Sequence, residues 1–188
     1  MREKNDYYPT SPEILEVLME KEKFAGNIFE PACGDGELSQ VLINKGRKVD
    51  SSDLIDRGFG KCGQDFLKYN GKKYDNIITN PPYKLSTQFI LKAKEVAKKK
   101  IAFLLYTTFL EAQGRYEMFQ DKRFGLKVVY QFSERITLYP GKIKTKGDIN
   151  GMKAFAWFIW EKGYKEKPTI EWIAPRTKFL ITEKYVRN

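Results

Sequence analysis

The chain has 188 residues and a formal net charge of +10, from 34 Lys and Arg against 24 Asp and Glu. This length, with 41% hydrophobic and 31% charged residues, is typical of one globular domain with a substantial core. The absence of histidine excludes His-based triads, haem ligation and most zinc sites, and Cys33 and Cys62 give neither a disulfide framework nor metal-ligand spacing. These residues therefore predict no metal site. No apolar run reaches membrane-spanning length and none lies near the start, which predicts a cytoplasmic protein.

The first half of the chain alternates between helix and strand patterns. "SPEILEVLME" has apolar residues at helical spacing, with Thr10 and Glu13 as a possible capping box. "GNIFEPA" predicts a short strand that ends at Pro31, and "GELSQVLINKG" predicts a helix closed by Gly46. "RKVDSSDL" indicates a weak second strand and "KYDNIITN" a clear third one.

The second half continues the alternation. "LSTQFILKAKEVAKKK" predicts a helix whose final lysines form a solvated C-terminus, where the helix dipole favours them. "IAFLLYTTF" is typical of a strand covered on both faces, and "EAQGRYEMFQDKRF" indicates a helix. "LKVVYQF" and "KAFAWFIWEKG" are strand-like runs on either side of a lysine-rich stretch, residues 140–151. The pattern predicts one α/β domain over residues 1–188, a mostly parallel helix-covered sheet with an antiparallel hairpin at one edge.

Ligands of such sheets bind beyond the carboxyl ends of the strands, and a glycine loop lies at the first of these ends. In "FEPACGDGELS", Gly34 and Gly36 allow a tight turn and a close approach of the backbone to a ligand. Glu30, Asp35 and Glu37 would repel a nucleotide diphosphate, whereas S-adenosylmethionine is cationic and carries no phosphate. The loop therefore favours S-adenosylmethionine, against the alternative of an ordinary strand–helix turn.

Two further features follow the second strand. Asp53 comes 19 residues after Gly34, close to the spacing at which an acid holds ribose hydroxyls. Asp65 and Phe66 in "GQDFLKY" supply an acid and a ring that can bracket adenine. Each signal alone also fits an ordinary turn, but their order and spacing together indicate a cofactor site.

The third strand runs into Asn80, Pro81, Pro82 and Tyr83 in "NIITNPPYKLS". Two successive prolines lack backbone donors and cannot continue a central strand, so an amide, a stiff carbonyl and a ring are held at a strand end. The alternative interpretation is a purely structural turn, which the upstream glycine loop and acid disfavour.

"FEPACGDG" followed by "TNPPY" resembles the S-adenosylmethionine-dependent amino-methyltransferases, whose catalytic signature is Asp/Asn/Ser-Pro-Pro-Tyr/Phe. Asn in the first place resembles the site-specific adenine-N6 DNA methyltransferases, and "FLEAQGR" and "AFAWFIWEKGY" resemble their small single-domain phage and prophage versions. The resemblance implies a Rossmann-like methyltransferase fold and a bacterial or phage-infected host cell. "YYPTSPEIL" resembles the segment that contacts the methionine end of the cofactor. The implied cofactor residues are Thr10, Glu30, Pro31, Ala32, Gly34, Gly36, Asp53, Asp65, Phe66 and Asn80.

The chemistry of adenine methylation explains the rigid motif. The exocyclic amine is a weak nucleophile because its lone pair is delocalised into the ring. Hydrogen bonds from this amine to the Asn80 side-chain oxygen and the Pro81 carbonyl shift the nitrogen toward tetrahedral geometry and stabilise its developing positive charge. Proline rigidity preorganises the two oxygens, and Tyr83 offers a face on which a flipped base can stack.

The substrate is predicted from charge as well as from resemblance. The excess of basic residues favours nucleic acid, double-stranded DNA above all, and Lys142, Lys144 and Lys146 are candidate phosphate contacts in a glycine-flanked loop, against the alternative of a solvated loop. An RNA base, a protein glutamine and a catalytically silent DNA-binding relative are the alternatives. Cys33 stands in "PAC" within the cofactor loop, so a packing role is favoured over a cytosine-C5 nucleophile. The expected assembly is a monomer or a homodimer.

Overall fold

The computed structural model describes residues 10–134, 136 and 154–175, and the strands among them form one sheet. Across the sheet six strands run parallel, and one, the sixth in the chain, runs antiparallel to both of its neighbours. The strands are β1 (Ile28–Glu30), β2 (Val49–Ser51), β3 (Tyr74–Thr79), β4 (Ala97–Tyr106), β5 (Phe124–Phe132), β6 (Phe155–Lys162) and β7 (Thr169–Ile173), in the order β2-β1-β3-β4-β6-β5-β7. The predicted α/β fold with a mostly parallel seven-stranded sheet is confirmed.

Helices cover both faces of the sheet and divide the core into two layers. On one face, apolar residues of the first two helices, among them Leu15 and Leu42, pack against the sheet. On the other face, Phe89 and Ile90 of the third helix do so. Each such side chain, buried completely, contributes about 1.5–3 kcal/mol relative to the exposed state. The helices are α1 (Pro12–Lys21), α2 (Glu37–Asn44), α3 (Ser86–Val96) and α4 (Tyr116–Gln120).

The predicted capping box at the start of α1 is wrong. Ser11 is the N-cap residue, and its side chain forms no capping hydrogen bond. Thr10 lies just outside the helix, is buried, and bonds to a residue far along the chain. A tertiary contact therefore uses the hydroxyl that the local pattern assigned to the helix.

The lysines of "EVAKKK" do not form a helix end, because α3 ends at Val96 and β4 begins at Ala97. Lys100 points to Glu22, a residue of 6% exposure, and also lies 3.6 Å from Glu161. The strand tolerates these lysines because they lie at its amino end, where two are exposed and the third is paired. The predicted solvated helix terminus is therefore the start of a strand.

The antiparallel pair lies one strand inside the edge of the sheet. β6 is inserted between β4 and β5, and β7 pairs with β5 on the outside. The stretch "EAQGRYEMFQDKRF" forms only a short 3₁₀ turn at Gln113–Arg115 and the single-turn α4, because the following residues enter β5 at Phe124.

Candidate cofactor and catalytic site

The glycine loop leaves the carboxyl end of β1 and leads directly into α2. Gly34 and Gly36 both have positive φ, +57° and +91°, a conformation that side chains with a Cβ disfavour. A Cβ on Gly36 would also lie 2.3 Å from the ring of Phe59, so the loop passes directly under that ring. Both predicted glycines are therefore required by the backbone.

Asp53 joins this loop to the end of β2. Its Oδ2 accepts a hydrogen bond from the Gly34 backbone N–H at 2.8 Å, and its Oδ1 accepts one from Ile55 at 2.9 Å. The contact forms because β1 and β2 are adjacent and parallel, so their carboxyl ends meet. The two features predicted from spacing thus lie in direct contact.

Glu30 is completely buried beneath the loop. Its carboxylate accepts a hydrogen bond from the Ser39 hydroxyl of α2, and that hydroxyl lies 2.5 Å from the hydroxyl of Ser51 at the end of β2. Burial, helped by the negative charges of Asp53 and Asp35, raises the pKa of Glu30 to about 8, although the Ser39 hydrogen bond opposes the rise. Burial thus favours the protonated form of this carboxyl, and a cation that approaches it would favour the charged form.

This buried acid makes stability depend on pH. A carboxyl whose pKa is raised by folding binds its proton more tightly in the folded chain, so the contribution of Glu30 to stability is greatest below pH 4.5 and is lost as pH rises to about 8. We expect Glu30→Gln, which mimics the neutral acid, to remove a loss on the order of 3 kcal/mol between pH 5 and pH 8. Urea unfolding of both proteins at several pH values measures this difference. Parallel pH profiles would show that Glu30 does not titrate in this range.

Asp65 lies at the predicted position but Phe66 does not face a cleft. Asp65 caps the 3₁₀ turn Phe66–Lys68 by accepting a hydrogen bond from the Leu67 N–H at 3.0 Å. The Phe66 side chain is 2% exposed and packs between the rings of Phe29 and Phe89. The ring thus belongs to the core, and its contact with adenine stays a prediction.

Asn80 follows β3 and is oriented by Thr10. The Asn80 Nδ2 donates a hydrogen bond to the Thr10 hydroxyl at 2.9 Å, across 70 residues of sequence. Because the amide nitrogen turns toward Thr10, the carbonyl oxygen of the same amide points to the opposite side. Thr10, predicted as a cofactor residue, thus also fixes the amide on which catalysis would depend.

The proline pair and Tyr83 form a rigid turn between β3 and α3. Pro81 is buried, and the Pro82 carbonyl accepts a hydrogen bond from the Leu85 N–H at 2.9 Å. The Tyr83 carbonyl accepts another from the Ser86 hydroxyl, also at 2.9 Å. The turn is therefore held by its own hydrogen bonds in addition to the proline rings.

Sequence reasoning missed the aromatic residues that support Tyr83. The ring of Tyr83 lies 4.2 Å from that of Tyr106 and 5.9 Å from that of Phe155, measured between centroids. Tyr106 ends β4 and Phe155 begins the antiparallel β6, so both lie at the same edge of the sheet as the motif. Only the order of strands in space brings the three rings together, although "LLYTTF" places an aromatic residue at a strand end.

The other predicted residues have the following positions. Pro31 is buried and Ala32 packs half-buried against the core on the α3 face of the sheet. Cys33 is buried, with its sulfur 3.6 Å from the Phe59 carbonyl, and burial raises the pKa of its thiol to about 12, as suits a packing role. Lys142, Lys144 and Lys146 lie outside the described residues.

No protein-family model matches the chain, and no curated protein matches it in sequence. The modification subunit of a putative type I restriction enzyme from Vibrio vulnificus YJ016 superposes with a TM-score of 0.61 at 12% identity, over 97% of this chain and 53% of that chain. This chain thus spans about half the length of that subunit. A dimethyladenosine transferase from Plasmodium falciparum superposes with a TM-score of 0.58 at 19% identity, over 83% of this chain and 63% of that one.

A third structure, magnesium protoporphyrin IX methyltransferase from Synechocystis PCC 6803 with bound S-adenosylmethionine, has a TM-score of 0.53 at 14% identity, over 80% of this chain and 76% of that one. The chain has the methyltransferase fold. Among the described residues, no helix of this methyltransferase fold is both long and apolar enough to cross a bilayer.

Proposed function

We propose that the protein transfers a methyl group from S-adenosylmethionine to the exocyclic N6 amine of adenine in DNA. The observation that carries the proposal is the Asn80–Thr10 hydrogen bond, which orients the amide of an Asn-Pro-Pro-Tyr turn at the end of β3, the strand next to β1. Two neighbours in fold support it, since one is named as a modification subunit and another as a dimethyladenosine transferase. The proposal extends to one domain over residues 1–188.

The residues at the ends of β1 and β2 fit S-adenosylmethionine. Asp53 accepts hydrogen bonds from two backbone N–H groups, and its carboxylate can also accept hydrogen bonds from ribose hydroxyls. Glu30 offers a buried carboxyl near a loop rich in acidic residues. A cationic ligand would lower the pKa of Glu30 and stabilise its charged form, whereas a phosphate would be repelled. The bound cofactor would supply an electrophilic methyl group.

The catalytic step assigned to this chain is activation of the amine. The Asn80 side-chain oxygen and the Pro81 carbonyl accept hydrogen bonds from the amino group and so stabilise the positive charge that develops on its nitrogen. Thr10 holds the amide in the required orientation, and the internal hydrogen bonds of the turn keep both oxygens fixed. No histidine is needed as a general base.

The aromatic cluster is proposed to bind the target base. Tyr83 is half-buried, and Tyr106 and Phe155 support its ring from within the fold. A ring fixed in this way offers a flipped adenine a preorganised stacking surface. The target is proposed to be double-stranded DNA, bound by a monomer or a homodimer.

An RNA base is the second candidate, because another neighbour in fold is named as a 23S rRNA methyltransferase. Methyl transfer from labelled S-adenosylmethionine to unmethylated genomic DNA, to total RNA and to protein distinguishes the candidates. We expect label in DNA, as N6-methyladenine. Label in RNA alone, or in glutamine alone, would replace the proposed substrate.

The loop lysines give a prediction of their own. If Lys142, Lys144 and Lys146 contact phosphates, replacing all three with alanine should weaken DNA binding across sequences and reduce the salt slope of log K by about 3, since each contact releases condensed counterions. Binding measured at several salt concentrations tests this, with S-adenosylmethionine affinity as the control. Equal slopes for the parent and the triple variant would identify these lysines as solvated.

A further inference from the structure

The balance of cations and carboxylates in the described chain differs between the two edges of the sheet. At the carboxyl edge, where Asn80 lies, the described segments that leave the strands carry more carboxylates than cations. The charged side chains there are the carboxylates Asp35, Glu37, Asp53, Asp56, Glu111 and Glu134 and the cations Arg57, Lys61, Lys84 and Arg115. Such an edge suits a cationic cofactor.

The amino edge of β2, β1, β3 and β4 is basic. We call five of the exposed basic side chains there the basic rim: Lys23, Arg47, Lys48, Lys73 and Lys98. None of the five forms an ion pair within the part of the chain that the structure describes. Nearby carboxylates are already bound to other lysines: Asp50 to Lys72 at 2.7 Å and Asp75 to Lys99 at 3.1 Å.

Backbone contacts place two members of the basic rim against neighbouring strands. The Lys48 carbonyl accepts a hydrogen bond from Ile28 at 2.9 Å, which places the start of β2 against β1. The Lys23 carbonyl accepts one from the side chain of Lys100 at 3.1 Å, which places it beside β4. At about 4.8 Å between strands, the rim spans roughly 15 Å, or about four base pairs of duplex.

We propose that the basic rim is a second nucleic-acid contact, separate from the catalytic edge, which binds a different segment of a long substrate. β4 has 10 residues and rises about 3.3 Å per residue, so roughly 30 Å separates the two edges. A duplex of about five base pairs, roughly 17 Å long, can therefore occupy one edge only, whereas a long substrate reaches both. The proposal rests on the proposed function only in taking nucleic acid as the partner.

The test compares two triple variants in binding to a labelled duplex DNA of about 60 base pairs and random sequence, at several salt concentrations. The rim variant carries Lys48→Ala, Lys73→Ala and Lys98→Ala. The control variant carries Lys162→Ala, Lys165→Ala and Lys167→Ala, three exposed lysines on the same edge of the sheet but outside the basic rim, where β6 ends and β7 begins. Both remove the same charge, and calorimetry with S-adenosylmethionine checks that each retains its fold.

We expect the rim variant to reduce the salt slope of log K by about 2–3, near 0.9 for each lost phosphate contact, while the control keeps the parental slope. An unchanged slope in the rim variant, or an equal reduction in both variants, would overturn the proposal. Because the binding assay needs no methyl transfer, its result can contradict the rim contact without contradicting the adenine-N6 activity, and a methylation assay can do the reverse. A normal methylation rate on a hairpin with a stem of about five base pairs would further show that the rim variant leaves the catalytic edge intact.

Discussion

Replacing Asn80 with alanine should lower the turnover of methyl transfer by about a hundredfold or more, while the affinity for S-adenosylmethionine changes little. The expectation follows from the position of the amide, whose nitrogen is bound to Thr10 and whose oxygen would act on the charge that develops in the transition state. Loss of one such preorganised hydrogen-bonding group typically costs about 10²–10³ in turnover. Single-turnover methylation and calorimetry measure the two quantities separately.

Asn80→Asp is the matched control for this variant. Aspartate keeps an acceptor oxygen in the same place, and the Thr10 hydroxyl can donate to it instead of accepting. We expect Asn80→Asp to lose less activity than Asn80→Ala. Equal rates for the alanine variant and the parent would remove Asn80 from catalysis.

Asp53→Ala should weaken S-adenosylmethionine binding by about 1–3 kcal/mol, the scale of charge-assisted hydrogen bonds to ribose hydroxyls. The same carboxylate accepts the Gly34 N–H at 2.8 Å, so its removal also frees the glycine loop. Asp53→Asn separates the two effects, because an amide oxygen can still accept from Gly34 but carries no charge. Calorimetry gives both dissociation constants, and values equal to that of the parent would reduce Asp53 to a turn residue.

The sequence was informative where local chemistry leaves few choices. The prolines that follow Thr79 cannot continue β3, so the end of that strand and the rigid turn were predictable. The acid–glycine contact was also predictable, because adjacent parallel strands bring Asp53 and Gly34 to one edge. The spacing of apolar residues correctly indicated α1, α2 and the buried β4, because each spacing matches the way in which that element buries its apolar side chains.

The sequence was less informative where distant residues decide the outcome. Phe66 follows an acid and looks available to a ligand, yet Phe29 and Phe89 enclose its ring. The sequence pattern places Lys100 at the end of a helix, but in the fold Lys100 belongs to β4 and pairs with Glu22, the residue after α1. No local pattern reports such partners, and the same limit hid the support of Tyr83 by Tyr106.

The most direct test of the central claim is to express the parent and Asn80→Ala in a methylation-deficient bacterial host and to sequence the host DNA for N6-methyladenine. The account predicts methylated adenines in a recurring sequence context with the parent and a strong reduction with the variant. Adenine that stays unmethylated when the folded parent protein is abundant, or equal methylation with both proteins, would contradict it.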